Sequence, residues 1–245
     1  DIWKYIMQIN KTNSINFTSY NNPIRSFDVK TKAGVLHFCE INYKHPPKNA
    51  FYKKLASFFL DNFANTSAHP FWEKFRKPFL DKQVYNDYID IDVRNYKKAL
   101  YNKNTTILLA KDAEKNIVAA MFARPLKETQ TVRDSQTLYI DSIAVAPKYR
   151  GNNVGARILE KVLLSAQKRF TDAFLVSYKE SVPFYEKLGF KHLRWSNPKH
   201  QYVIYEMAKE RQDYPDYAEF MYKKLNNSEF IPWYSRIQRR NIPKE

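Results

Sequence analysis

Apolar residues recur along the chain with two periods, one typical of helices and one typical of strands. Spacings of three and four residues predict helices after Phe51, over 84–100, over 154–170 and over 182–188. Short apolar runs bounded by turn residues predict strands. The predicted strands are 35–41, 105–110, 117–123, 136–145, 173–178, 190–195 and 202–207.

The connections between these elements predict a mixed sheet. A short turn joins 105–110 to 117–123, so these two strands should pair antiparallel. A long helix joins 136–145 to 173–178, so these two should run parallel. Residues 1–34 show neither period and are predicted to be irregular. The order of elements therefore favours an α/β fold.

The length of 245 residues suits one large domain with appendages. We expect a single domain over 1–209 whose core spans 33–209 and contains an aromatic, helical insertion at 65–104. Residues 210–245 are expected to form a C-terminal extension with one helix, at 217–225, and a basic tail.

Composition excludes several classes of protein. No apolar run approaches the length of a membrane-spanning helix, so we expect no membrane partner. The single cysteine, Cys39, excludes a disulfide framework and a thiolate zinc site and is typical of a reducing compartment, so we expect a cytoplasmic protein. The five histidines lack the spacing of metal ligands, and no metal is expected.

The net charge of +16 attracts anions, including nucleic acids and phosphorylated cofactors. The excess is spread nearly evenly along the chain, apart from a short basic cluster at 236–240. We interpret it mainly as a surface bias and expect no nucleic-acid partner, although binding to RNA or the ribosome remains an alternative function. The aromatic and basic tail is expected to dock on the core or to exchange between the protomers of a homodimer, and contact with an anionic partner is a further alternative.

Glycine is rare, and three of the four glycines lie between 151 and 189. Residues 140–156 form an apolar strand, a proline stop and a polar turn that contains Gly151 and opens a helix at about Gly155. The first N–H groups of a helix are unpaired and lie at its positive end, and small residues allow a diphosphate to reach them. The segment indicates a phosphate-binding turn, or else a glycine kept for tight packing.

Two motifs in this region resemble the GNAT acetyltransferase superfamily. IAVAPKYRGNNVGARIL is similar to the acetyl-CoA signature [QR]-x-x-G-x-[GA] at Arg150, Asn153 and Gly155, and SVPFYEKLGF is similar to the family's F-Y-x-x-x-G-F helix. Asn153 stands where the family usually has glycine, but asparagine tolerates left-handed backbone, so we expect the turn to survive. The resemblance implies a mostly antiparallel central sheet with helices on both faces and a V-shaped splay between its two parallel strands.

The resemblance also implies an N-acetyltransferase that transfers an acetyl group from acetyl-CoA to a primary amine, of a small molecule or a peptide, by direct attack. Pantetheine would lie between 138–145 and 173–178, and the Val145 N–H would polarise the thioester carbonyl. A module that binds acyl-CoA without turnover is the alternative. The residues implied to contact coenzyme A are Ile143, Ala144, Val145, Arg150, Gly151, Asn152, Asn153, Val154, Gly155, Ala156, Tyr178, Ser181 and Tyr185.

Three residues are implied to be catalytic: Tyr185, Asp141 and Tyr139. Tyr185 resembles the family's general acid, which protonates the leaving sulfur, although a core aromatic residue is the plainer interpretation. Strand alternation predicts that Tyr139 and Asp141 share a face with Val145, where other members carry a base. Asp141 could be that base, the end of a water chain, or an anchor for the substrate cation.

The acceptor amine is expected to bind beside the insertion. Its aromatic residues could surround a cation, or could form a satellite core instead. The candidates are His69, Phe71, Trp72, Phe75, Phe79, Tyr85 and Tyr88, with Glu128 and Asp134 as further groups for holding an amine.

Overall fold

The computed structural model contains one eight-stranded mixed sheet. The structure describes residues 26–32, 34–41, 46–64, 82–126, 137–193 and 218–225. The strands are β1 (Ser26–Thr31), β2 (Gly34–Ile41), β3 (Thr106–Lys111), β4 (Ile117–Pro125), β5 (Thr137–Val145), β6 (Asp172–Tyr178), β7 (Lys191–His192) and β8 (Ala218–Lys224). The helices are α1 (Asn49–Ala64), α2 (Lys82–Leu100), α3 (Val154–Ala166) and α4 (Val182–Lys187).

The strands lie in the order β1-β2-β3-β4-β5-β6-β8-β7. Within the described sheet every pair of neighbours is antiparallel except β5 and β6, which are parallel and are joined through α3. The expected mixed, mostly antiparallel sheet is therefore confirmed.

The two faces of the sheet are buried under different helices. Met121 and Ala123 of β4 pack in a core with the apolar side of α3 and with Tyr185 of α4. Ala120 and Phe122, the alternate residues, pack with α1 and α2 on the other face. Alternation of side chains along β4 therefore separates the cores, with helices on both faces as expected.

The helix predicted at 217–225 is wrong, because Ala218–Lys224 forms β8 and pairs with both β6 and β7. Met221 is fully buried in the α3 core, whereas Phe220 and Tyr222 pack against a cluster that contains Tyr139. A strand that is covered on both faces carries apolar residues at consecutive positions, and such a run also fits helical spacing. The predicted C-terminal extension thus contributes a strand to the sheet.

The prediction that 1–34 is irregular is also wrong in part, because Ser26–Thr31 forms β1. Phe27 and Val29 alternate with polar residues and pack against the α3 core, and β1 pairs antiparallel with β2. The short, charged run SFDVKT belongs to an edge strand, and few apolar residues are needed there.

Replacing Met221 by alanine tests whether β8 belongs to the core. We expect the free energy of unfolding to fall by about 2–5 kcal/mol, because a fully buried side chain is removed from a packed interior. Lys224→Ala, at an exposed position of the same strand, serves as the control and should change it by less than about 0.5 kcal/mol. Equal urea denaturation midpoints for the two variants would show that β8 is not part of the core.

Candidate functional site

The parallel strands β5 and β6 pair over the first half of their length and then diverge. Their ladder pairs Thr137 with Asp172 at one end and Ile140 with Leu175 at the other. Beyond that point β5 continues to Val145 along β4, and β6 continues to Tyr178 along β8. Among the described residues, no strand lies between the two diverging segments. The result is a V-shaped opening with its apex at Ile140, as expected.

The backbone of β5 directs hydrogen-bonding groups into this opening. The Ala146 N–H donates to the Val118 carbonyl of β4 at 2.9 Å. Since N–H groups alternate in direction along an extended strand, those of Val145 and Ile143 point the other way, toward β6. The carbonyl of Val145 accepts a hydrogen bond from Arg150 Nε at 2.9 Å. One edge of the opening is thus a stretch of β5 whose side toward β6 pairs with no strand within the described residues.

A turn with two left-handed residues connects β5 to α3. A 3₁₀ turn spans Pro147–Tyr149, and Gly151 and Asn153 follow with φ of 76° and 61°. Asn153 is the N-cap of α3 and has no side-chain capping bond, while its carbonyl accepts the Arg157 N–H at 3.0 Å. The expected left-handed conformation of Asn153 is confirmed. The N–H groups of the first turn of α3, which have no partners within the helix, lie next to the wide end of the splay.

Gly155 lies where β5, α3 and α4 meet. A Cβ on this residue would be 3.3 Å from Val145 Cγ2 and 3.5 Å from Phe184 Cζ. The close approach explains why a glycine occupies this helical position, independently of any ligand. The two interpretations of the glycine turn, tight packing and phosphate binding, are therefore compatible. Val154 is buried beside Gly155, and Ala156 is partly exposed.

Tyr185 lies in α4 with its ring in the α3 core. The ring meets those of Phe184 and Phe190 edge-on, with centroids 5.0 and 5.9 Å away. Gly189, with φ of 83°, ends the helix, as predicted from the sequence. Burial raises the pKa of the Tyr185 hydroxyl above its ordinary value, so this residue stays protonated at neutral pH. Tyr178 ends β6 and Ser181 precedes α4, both on the β6 side of the opening.

A β-bulge interrupts β5 at Asp141, next to the apex. On β4, Phe122 pairs with Ser142 and Ala123 with Ile140, which leaves Asp141 as the extra residue. Asp141 Oδ2 accepts a hydrogen bond from Arg124 Nε at 3.1 Å, and its Oδ1 accepts one from the Ser142 hydroxyl at 3.2 Å. The side chains of Arg124 and Asp141 are 17% and 19% exposed. This contact is a half-buried ion pair.

Because of the bulge, the prediction that Tyr139 shares a face of β5 with Val145 is wrong. Tyr139 does not share a face with Val145: it packs in a cluster with Phe174, whereas Ile143 and Val145 pack against the α3 core. An extra residue in a strand shifts the alternation of every residue before it by one position. The Arg124 guanidinium lies 5.0 Å from the centre of the Tyr139 ring, so Asp141, Arg124 and Tyr139 form one group on the α1 and α2 face. We call it the apex group.

The sequence pattern does not indicate Arg124 as a site residue, because its contact with Asp141 depends on the register of β4 and on the bulge in β5.

Of the aromatic residues expected around the amine, Tyr85 donates a hydrogen bond to Asp61 at 2.9 Å and Tyr88 is exposed. Ala144 is buried on the α1 and α2 face. The following candidates lie outside the described residues: His69, Phe71, Trp72, Phe75, Phe79, Glu128 and Asp134, together with the predicted strand 202–207 and the basic cluster 236–240.

The described residues contain no group of three or more His, Cys, Asp or Glu side chains that could hold a metal ion. None of the described helices is both long enough and apolar enough to cross a membrane. The candidate site consists of the splay, the turn before α3, Tyr185 and the apex group.

The family model described as Acetyltransferase (GNAT) family matches residues 66–190, just over half of the chain and the whole of the splay and turn. The chain therefore belongs to the GNAT acetyltransferase family, and it is an acyltransferase by family. No curated protein sequence matches it significantly.

Several solved structures are similar to the chain. A GNAT-family acetyltransferase from Staphylococcus aureus Mu50 is 18% identical with a TM-score of 0.49, over 77% of this chain and 99% of that one. The GNAT domain of S. lividans PAT is 11% identical with a TM-score of 0.49, over 81% and 96%. The PaiA N-acetyltransferase from Thermoplasma acidophilum, solved in complex with coenzyme A, is 13% identical with a TM-score of 0.44, over 77% and 98%.

Substitution of Asn153 tests the left-handed turn. We expect Asn153→Ala to lower the free energy of unfolding by about 1–2 kcal/mol, because alanine lacks the tolerance of asparagine for positive φ. Asn153→Gly should change it by less than about 0.5 kcal/mol, since relief of backbone strain offsets the added entropy of the unfolded chain. Urea denaturation of both variants measures the difference. Equal losses for alanine and glycine would show that the turn does not depend on positive φ.

Proposed function

We propose that this protein transfers an acetyl group from acetyl-CoA to a primary amine by direct attack within a ternary complex. The observation that carries the proposal is the splay, in which β5 leaves β6 at Ile140 and continues to a left-handed turn at the start of α3. An unpaired strand edge suits the extended amide arm of coenzyme A. A helix N-terminus suits the diphosphate at the end of that arm.

The residues at the wide end of the splay would hold coenzyme A. Backbone N–H groups of 151–156 would bind the diphosphate, aided by the positive end of the α3 dipole. The edge formed by Ile143, Ala144 and Val145 would pair with the amides of the arm. Tyr178 and Ser181 would line the wall formed by β6 and the start of α4.

The acyl group would then lie toward the apex, because the diphosphate occupies the opposite end. Coenzyme A supplies a thioester, whose carbonyl carbon accepts the amine and whose sulfur leaves. The N–H of Val145 would donate to the carbonyl oxygen. Fixed donors aimed at the place where negative charge develops lower the barrier to acyl transfer.

Tyr185 would act at the leaving sulfur. Its raised pKa keeps the hydroxyl protonated, and the hydroxyl makes no hydrogen bond to any of the described residues. An unengaged donor can turn toward a thiolate. Because an ordinary thiol has a pKa of about 8.5, below that of the tyrosine, the tyrosine would stabilise the thiolate by donating a hydrogen bond, and the thiolate would take its proton from water as the product leaves.

The apex group would receive the amine. Asp141 is a carboxylate next to the narrow end of the splay, and it would hold the amine while the proton lost before attack leaves through water. Both carboxylate oxygens of Asp141 already accept hydrogen bonds, from Arg124 and Ser142, and this geometry favours an anchoring role over that of a base. Tyr139 would support the arginine from below as a buried aromatic surface.

The first test asks whether the turn before α3 binds coenzyme A. We expect Gly155→Asp to abolish the rise in melting temperature that acetyl-CoA gives the wild-type chain, because the new side chain adds bulk against Val145 and negative charge beside the diphosphate. Gly155→Ala adds only a Cβ at 3.3 Å from Val145 and serves as the matched control, which should still respond. A full response to acetyl-CoA in the aspartate variant would place the binding site elsewhere.

The second test concerns turnover. Release of free thiol from acetyl-CoA is measured with a panel of primary amines that includes small molecules and peptides. With an amine that the wild type uses, Tyr185→Phe should cut kcat roughly 10²-fold and leave the affinity for coenzyme A nearly unchanged. Tyr101→Phe, at a tyrosine that is 88% exposed, is the control and should match the wild type.

Two outcomes would change the proposal. Unchanged turnover in Tyr185→Phe would remove the tyrosine from the reaction. Binding of acetyl-CoA without thiol release on any amine would favour the alternative of a module that binds acyl-CoA without turnover.

A further inference from the structure

The turn before α3 makes few hydrogen bonds within itself. The Tyr149 N–H donates to the Ala146 carbonyl at 2.9 Å, and the Arg150 N–H donates to the Pro147 carbonyl at 3.1 Å. The side chains of Arg150 and Asn152 donate to the carbonyls of Val145 and Arg150, respectively. These contacts join the turn to itself and to the end of β5, which directly precedes it, but to no other strand of the described sheet.

Two hydrogen bonds connect residues 146–153 to a different part of the described chain, and both end on the β3–β4 hairpin. The Ala146 N–H donates to the Val118 carbonyl at 2.9 Å. The Tyr149 hydroxyl donates to Asp112 Oδ2 at 3.1 Å, across 37 positions of sequence. The second of these is made by side chains, and its strength can therefore be changed by substitution.

Asp112 is itself held in place by the turn that joins β3 to β4. Its Oδ1 accepts the Asn116 N–H at 2.8 Å, and its Oδ2 also accepts the Asn116 side-chain amide at 3.3 Å. The Asp112 N–H donates to the Asn116 carbonyl at 3.1 Å, and Lys115 between them has a φ of 64°. The carboxylate is thus oriented by its own hairpin before Tyr149 reaches it.

The ionisation states suit this contact. Desolvation raises the pKa of Asp112, but hydrogen bonds from Asn116 and Tyr149 outweigh it and the net shift is downward. Desolvation, together with the bond to Asp112, raises the pKa of Tyr149. At neutral pH a protonated hydroxyl therefore donates to a charged carboxylate, which is among the stronger kinds of hydrogen bond.

We propose that Asp112 and Tyr149 are positioning residues for coenzyme A: their hydrogen bond braces the turn, so that its N–H groups are aimed at the diphosphate before the ligand arrives. The inference rests on the proposed function. A turn with two left-handed residues and few internal bonds has conformational entropy to lose on binding, and a brace that removes this entropy in advance strengthens binding. Neither side chain needs to touch the ligand.

The test is removal of one oxygen atom by Tyr149→Phe, which keeps the ring that packs against the α3 core. We expect the Kd for coenzyme A, measured by calorimetry, to rise about fivefold to tenfold. The KM for acetyl-CoA should rise in parallel while kcat stays within about twofold, a split that general destabilisation would not produce. Tyr101→Phe removes a hydroxyl far from the turn in sequence and should leave Kd, KM and kcat unchanged.

A double-mutant cycle on the affinity for coenzyme A, and hydrogen exchange of the turn, test whether the Tyr149–Asp112 contact itself causes the change. Asp112→Ala should also weaken binding of coenzyme A, and adding it to Tyr149→Phe should weaken that binding no further, because both substitutions remove the same contact. Without ligand, the hydrogen-bonded amides of Ala146, Tyr149 and Arg150 should exchange faster in Tyr149→Phe than in the wild type. A Kd within twofold of the wild type, or unchanged exchange, would overturn the brace. Failure of the wild-type chain to bind coenzyme A, with exchange still faster in the variant, would instead overturn the proposed function.

Discussion

The separation of β5 from β6 at Ile140 is the constraint on which the rest of the site depends. A strand in the middle of a sheet normally satisfies its N–H and C=O groups on both edges, and a buried group without a partner is costly. Here the ladder ends while both strands continue, β5 against β4 and β6 against β8. The sheet is therefore held open from its two outer sides. The N–H groups of β5 that face the opening require water or a ligand, whereas the Val145 carbonyl already accepts from Arg150.

The bulge at Asp141 and the strand β8 contribute to this arrangement in different ways. The extra residue lies one position beyond the last paired residue, and a bulge bends its strand and increases the local twist. β8 covers the far edge of β6 along its whole length, from Asp172 to Tyr178, so β6 does not depend on β5 for its pairing there. One feature turns β5 away and the other allows β6 to remain where it is.

Local signals explain which parts could be predicted from the sequence. The apolar stripe of α3, the glycine that ends α4 and the left-handed Asn153 all depend on residues within a few positions, and each was found. Whether 217–225 forms a helix or a strand depends on what covers it, because an apolar run that is buried on both faces fits the spacing of a helix as well as that of a strand. The partners of Asp141 and Tyr149 depended on strand register, which no local pattern encodes.

The placement of the two chemical groups on opposite faces of the sheet bears on how the reaction would proceed. Tyr185 lies in the α3 core, whereas Arg124 and Tyr139 of the apex group lie on the α1 and α2 face. Coenzyme A and the amine would thus approach from different sides and meet only where the strands diverge. A covalent acyl-enzyme would need a nucleophile at that point. Cys39, the chain's one cysteine, lies on β2, two strands further from the splay than β4, and burial raises the pKa of its thiol, so this cysteine is not placed to carry an acyl group there.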